Sequence, residues 1–147
     1  MSIFYEKNEN INYTYFKLNP IITEGKPGKL IDLDIKKITK EINIQFYISK
    51  CFYINDLNSI ESRGKHSNKN ASEILICLNG SFEIKLNNGF YEKILFIQKN
   101  EGIFIDKNIW IDFYNFKDCI IYAFVDIELN DEKNSCYNFQ DFLKNIR

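Results

Sequence analysis

The chain has 147 residues, a length that suits one domain able to bury its own core without disulfide or metal staples. Hydrophobic residues make up 45%, which argues against disorder. With 19 basic and 20 acidic residues the net charge is -1, so no general attraction to nucleic acid or to an anionic membrane follows, and an anionic ligand needs a local basic cluster.

In chain order, Met1–Lys7 lacks a basic start followed by an apolar run, so no signal peptide is expected. Residues 1–28 are polar and are expected to be irregular or a loosely attached strand, closed by the turn signal Gly25-Lys26-Pro27-Gly28. The main domain is expected over 29–147. Leu30–Asp34 begins its strand-like part, Asn43–Ile48 alternates, and Lys50-Cys51-Phe52-Tyr53-Ile54 follows. Asn55–Asn70 is rich in Asn, Ser and Lys and reads as a loop. Glu73–Leu78 is nearly all apolar and predicts a buried strand. Asn79-Gly80 predicts a hairpin turn, because both residues tolerate positive φ. Phe82–Leu86 alternates, Asn87-Asn88-Gly89 predicts a second hairpin, and Tyr91–Ile97 a third strand. After a turn at Lys99–Gly102 come Ile103–Ile105, the alternating Ile109–Phe116, and a buried run from Cys119 to Val125. Only Asn138–Arg147 reads as helical, with Phe139, Phe142, Leu143 and Ile146 at helix spacing. Short strands separated by turn residues, in a chain with 13 Phe, 9 Tyr and many Ile, predict an all-β sandwich or closed barrel.

The four cysteines, Cys51, Cys77, Cys119 and Cys136, form no Cys-x-x-Cys pair, so a zinc site is not expected. Cys51, Cys77 and Cys119 sit in apolar runs and are expected to be small buried residues, in keeping with a reducing cytoplasmic location. No apolar run is long enough for a membrane span.

The densest polar cluster is Arg63-Gly64-Lys65-His66-Ser67-Asn68-Lys69. Alternation at a loop-to-strand entry points His66 and Asn68 the same way. On a barrel interior this would place the chain's one histidine in a partly desolvated cavity, where a near-neutral imidazole can move protons. Arg63, Lys65 and Lys69 would supply positive charge at its mouth, suited to a pyrophosphate. Glu73 reads either as a partner for a cation or sugar hydroxyl or as a strand-edge charge. Trp110 and Tyr114 share a strand face and read as cavity linings or as core filling.

The order His66-x-Asn68-x(4)-Glu73-x(6)-Gly80 resembles the first cupin motif, with Asn68 where a second His stands. A second cupin motif from Gly102 would place a His near position 111, which holds Ile111. Two of the usual three histidine ligands are therefore absent, and a metal-dependent reaction is not expected. The stretches Arg63–Lys69, Ile74–Ser81, Lys50–Ile54, Trp110–Phe116 and the region around Tyr137–Phe139 together resemble the WxcM-like sugar-nucleotide 3,4-ketoisomerases of the RmlC-like cupins, over roughly residues 25–145.

The resemblance implies an antiparallel β-barrel or jelly roll with a short C-terminal helix. It implies a cofactor-free isomerase acting on a dTDP-linked 4-keto-6-deoxyhexose of surface-polysaccharide (lipopolysaccharide O-antigen) biosynthesis. It further implies a cytoplasmic homodimer that exchanges N-terminal strands, with no nucleic-acid or membrane partner. His66 is then the acid/base and Tyr53 an assisting donor. Arg63, Lys69, Asn68, Glu73, Lys50, Trp110 and Tyr114 are the binding candidates. The alternatives on the same barrel are a sugar-nucleotide epimerase and a non-catalytic sugar-nucleotide-binding cupin.

Overall fold

Alternating apolar and polar residues give a strand one wet and one dry face, and here most strands find cover on the dry side. The structure is a computed structural model that describes residues 3–126 and 134–146. Its strands are β1 (Phe4–Asn8), β2 (Tyr13–Lys17), β3 (Lys50–Ile54), β4 (Ser62–Asn68), β5 (Glu73–Asn87), β6 (Glu92–Gln98), β7 (Glu101–Ile105), β8 (Trp110–Val125) and β9 (Ser135–Cys136). The helices are α1 (Ile35–Glu41) and α2 (Phe139–Ile146). The strands form one antiparallel sheet ordered β1-β2-β7-β5-β8-β4-β9, with β6 added to β5 and β3 to β8. This is the expected all-β cupin-type architecture with its C-terminal helix. No helix among the described residues is long and apolar enough to cross a membrane.

The long strands β5 and β8 fold the sheet on itself, because each changes partner midway. Glu73–Ile76 pairs with β7 and Ser81–Asn87 with β6. On β8, Ile121–Val125 pairs with β3 and Trp110–Tyr114 with β4. The expected hairpin at Asn79-Gly80 is not one: β5 runs through it as a bulge with slipped register against β8. Gly80 has φ +66, and a Cβ there would lie 1.9 Å from the Lys117 carbonyl oxygen. The tolerance of positive φ that marks Asn-Gly as a turn here serves a strand corner. The corner shifts parity, so Leu75 and Cys77 before it and Phe82, Ile84 and Leu86 after it all join one interior cluster. The expected hairpin at Asn87-Asn88-Gly89 is present between β5 and β6, with the Asn88 N–H donating to the Tyr91 carbonyl at 3.1 Å. The expected strands Ile109–Phe116 and Cys119–Val125 fall on one strand, β8, which starts at Trp110 and bends where Asn115 and Asp118 have positive φ.

Glu73–Cys77 is buried on both faces, which explains its unbroken apolar run. Leu75 and Cys77 face the interior. Ile74 and Ile76 face a second cluster with Phe16, Phe104, Phe124 and the apolar side of α1. That helix corrects the expectation that only the C-terminus is helical. Asp34 caps it, accepting from the Lys37 N–H at 3.3 Å. Ile35, Ile38 and Ile42 face the sheet, and burying each contributes about 1.5–3 kcal/mol. The alternation of Leu30–Asp34 masked this helix signal, and Asn43–Ile48 forms no strand.

Three further expectations change. Residues 1–28 hold a hairpin, β1–β2, built into the sheet through β2 and β7, with Tyr13, Phe16 and Leu18 buried. The Asn55–Asn70 loop contains β4, seven residues long. Cys51 is exposed, because it points to the outer side of β3; Cys77, Cys119 and Cys136 are buried. Helix α2 forms as expected, with Phe142 buried, while Arg147 lies outside the described residues.

Candidate active site

Strand β4 carries the basic cluster, and its geometry depends on one irregularity. Gly64 and Lys65 have φ +97 and +47, and the register against β8 slips between Gly64 and His66. Arg63 pairs with Phe113 and His66 with Ile111, both of which face the interior. Residues three apart on a regular strand point to opposite sides; the bulge puts Arg63 and His66 on the same one. Asn68, two residues on, shares that face as expected, and Lys65 is turned out to solvent.

These side chains line a cup of about 370 Å³. Arg63, His66 and Asn68 come from β4, Phe52 and Ile54 from β3, Glu73 and Leu75 from β5, and Phe113 from β8. Ser135 and Tyr137 close it from the β9 side. The His66 ring is half-buried, with the Tyr137 ring 5.9 Å away at a 36° tilt. Tyr137 is 74% exposed and stands at the mouth. A larger apolar groove follows α1. The cup differs from it in gathering an imidazole, a guanidinium and a carboxyl on apolar walls.

The buried polar groups of the cup form a chain. The Asn68 amide nitrogen donates to Glu73 Oε1 at 2.5 Å, and Asn68 Oδ1 accepts from the Asn134 amide at 3.3 Å. Asn134, fully buried, accepts the Asn70 and Ala71 N–H groups at 2.9 and 3.1 Å. Burial pushes the Glu73 carboxyl above its ordinary range, and Asp126 adds to the rise; the His66 charge and the Asn68 hydrogen bond pull the other way. Burial dominates because Glu73 is only 6% exposed and has no cation within ion-pair distance among the described residues.

Five sequence candidates lie elsewhere. Tyr53 is on the outer side of β3 and 65% exposed; its neighbour Phe52 takes the inward position. Trp110 packs under α2, 5.3 Å from Phe139 and 5.8 Å from Phe142, so the indole does not reach the cup. Tyr114 shares that outer face, since Ile111 and Phe113 are the inward residues of β8. Lys69 lines a neighbouring groove with Lys144, which shares Ser135 and Tyr137 with the cup. Lys50 is exposed at the start of β3. Sequence reasoning singled out neither Phe52 nor Asn134. Phe52 was equally available by alternation with Tyr53, whereas the Asn134 contact spans more than sixty residues and leaves no local signal.

The donors of the cup do not fit a metal ion. Ile111, directly opposite His66, offers a hydrocarbon, and Asn68 an amide already engaged with Glu73 and Asn134. No group of three or more His, Cys, Asp or Glu side chains among the described residues could hold one.

Comparison with known proteins gives a consistent result. The family described as FdtA, WxcM-like, C-terminal, matches residues 12–147. The TDP-4-oxo-6-deoxy-alpha-D-glucose-3,4-oxoisomerase of Aneurinibacillus thermoaerophilus is 29% identical over 121 residues, covering 81% of this chain and 83% of the relative. The structure of WlaRA, a TDP-fucose-3,4-ketoisomerase from Campylobacter jejuni, superposes with a TM-score of 0.76 at 34% identity, covering 92% of this chain and 96% of that one. A histidine-to-asparagine variant of the 3,4-ketoisomerase QdtA from Thermoanaerobacterium thermosaccharolyticum, in complex with TDP-4-keto-6-deoxyglucose, superposes with a TM-score of 0.76 at 26% identity, covering 91% and 93%.

Proposed function

The chain belongs to the FdtA family of WxcM-like C-terminal proteins, and from that premise we propose that its cup isomerises a dTDP-linked 4-keto-6-deoxyhexose to the 3-keto sugar, with His66 as the acid/base. Its enzyme class, an isomerase of the sugar-nucleotide 3,4-ketoisomerase type, follows from the family and its relatives. The observation that carries the reading is the His66 imidazole on the inner wall of an apolar-sided cup, beside Arg63.

The chemistry needs a base for the C3 proton and a way to return a proton to C4. It is redox-neutral, so it calls for no electron carrier. An imidazole, able to accept a proton at one carbon and return it at the next, suits both proton transfers. Apolar walls from Phe52, Leu75 and Phe113 lower the polarity around the reacting carbons. Arg63 offers a planar fork to the diphosphate, and the exposed Tyr137 ring offers a stacking surface at the mouth. Lys69 is the nearby cation for a phosphate reaching into the neighbouring groove. A homodimer formed through the N-terminal strands is part of the proposal. It is supported by β1, which ends the sheet with an open backbone edge and exposed Phe4 and Tyr5. A place in surface-polysaccharide biosynthesis in the cytoplasm completes the reading.

A second reading, a sugar-nucleotide-binding cupin without turnover, is favoured by Asn68, which hydrogen-bonds but carries no titrating proton. Incubation with TDP-4-keto-6-deoxyglucose in deuterated water separates the two. A ketoisomerase incorporates deuterium at the ring and yields the 3-keto sugar, whereas an epimerase keeps the ketone at C4. A binder shows only thermal stabilisation by TDP. His66→Asn is expected to abolish turnover and leave TDP binding largely intact; undiminished turnover in that variant removes His66 from the mechanism.

A further inference from the structure

Moving a ketone from C4 to C3 relocates two protons, and one imidazole accounts for one of them. The carbon-bound proton leaves C3 and arrives at C4. A second proton must join the oxygen on C4 and leave the oxygen on C3. Asn68 cannot carry it, because an amide neither gives up nor accepts a proton near neutral pH. Arg63 stays charged throughout. Tyr137 stands at the mouth, 74% exposed. Glu73 remains: it lines the cup with His66 and is 6% exposed.

We propose that Glu73, as a neutral carboxylic acid, is the second acid–base group of the cup and serves the oxygens of the sugar, with Asn68 as its positioning residue. The proposal rests on the ketoisomerase reading above. Asn68 holds one carboxyl oxygen at 2.5 Å, and is itself held by Asn134, which is clamped by two backbone N–H groups. The amide orientation that donates to Glu73 is thus set from outside the cup. Among the described residues Glu73 makes no ion pair with His66, Arg63 or Lys50, so an ionised carboxylate would be buried with the Asn68 hydrogen bond and the more distant His66 charge to offset its desolvation. The charged or titratable groups around it are His66 and Arg63 on β4, Lys50 on β3, Asp126 after β8, Asp106 after β7 and Tyr137 at the mouth. Asp126 and Asp106 are engaged by the Ser72 N–H and hydroxyl. Burial favours the protonated carboxyl.

The step balances. Neutral His66 takes the C3 proton, the C3–H electron pair becomes the C3–C4 double bond, and the C4 carbonyl π pair moves to its oxygen. That oxygen takes the Glu73 proton. The intermediate is a neutral enediol flanked by an imidazolium and a carboxylate, two charges that stabilise one another. In the second half the Glu73 carboxylate takes the proton from the C3 hydroxyl, the C3 carbonyl forms, and the double-bond pair takes the proton of His66 at C4. Both side chains return to their starting forms.

The test uses TDP-4-keto-6-deoxyglucose as probe, following product formation and ring deuterium incorporation by NMR. Glu73→Gln keeps the shape and the contact to Asn68, and is expected to lower kcat at least ~100-fold with KM changed by less than about threefold. Adding Asn68→His to Glu73→Gln restores a titrating group beside the same position and is expected to recover at least ~10-fold of the loss. Glu73→Gln turning over within about threefold of the parent, or a loss confined to KM, overturns the proposal. Should Glu73→Gln not fold, a titration of the unmodified protein labelled with carboxyl-13C glutamate decides. Glu73 titrating at or below the ordinary value of about 4.3 overturns the assignment, and titration above it supports it. Failure of the parent reading looks different: the unmodified protein then binds TDP and neither forms product nor exchanges a ring proton.

Discussion

Replacing Gly64 by alanine tests whether the β4 bulge is what brings Arg63 and His66 to one face. Gly64 sits at φ +97, a conformation that costs an L-residue about 1–3 kcal/mol. A Cβ would also meet Phe113 Cδ2 at 3.0 Å and the Ile111 carbonyl oxygen at 3.1 Å. The Phe113 ring can yield by a few tenths of an ångström. The Ile111 carbonyl belongs to the β8 backbone paired with His66, so relief there shifts β8 against β4 at His66. Adding about 1 kcal/mol for that contact gives a total of about 2–4 kcal/mol. In a domain of this size that lowers Tm by roughly 4–16 °C. Urea denaturation and turnover of TDP-4-keto-6-deoxyglucose are measured together. The expected result is a stability loss in this range with kcat falling by at least ~10-fold, because under the proposed function His66 transfers the proton and a small misplacement of such a group is costly. Lys65→Gly serves as the control: it relieves a φ of +47 at an exposed residue and is expected to change stability by less than about 1 kcal/mol. Gly64→Ala with parental stability and full turnover would show that the bulge does not set the site.

Glu73 should also leave a mark on stability against pH. Its folded-state pKa lies above its ordinary value, so the folded protein holds a proton that the unfolded chain releases. That contribution is fully present below the ordinary carboxyl range and is lost as pH rises toward the raised folded value. Glu73→Gln is expected to remove this part of the slope in urea titrations run across that window, and an unchanged slope would contradict a protonated Glu73. At the other end of the molecule, Phe142 is 2% exposed and packs against Trp110 and Phe139. Phe142→Ala should cost about 3–5 kcal/mol by thermal or urea unfolding, and a loss below ~1 kcal/mol would mean that α2 is not anchored there.

Much of the molecule is legible in local pattern. Period-two alternation marks most strands, Phe139, Phe142 and Leu143 mark α2, and His66 and Asn68 two residues apart must share a side wherever β4 lies. The motif order from Lys50 to Phe139 is enough to indicate the family that the comparison confirms. Helix α1 was also written locally, in the Asp34 cap and the spacing of Ile35, Ile38 and Ile42, but the alternating Leu30–Asp34 just ahead of it spoke louder.

What a residue faces is another matter. Alternation makes Phe52 and Tyr53 opposite but does not say which is inside; pairing with the second half of β8 decides it for Phe52. The same holds for Trp110 against Ile111 on β8. Arg63 joins His66 only because Gly64 and Lys65 insert a bulge, and Asn79-Gly80 becomes a corner instead of a hairpin only because β8 runs alongside. The local chain therefore determined which side chains keep company along each strand, and the fold alone determined which company is enclosed. The physical reason is that a pleated strand has two equivalent sides until distant segments cover one of them.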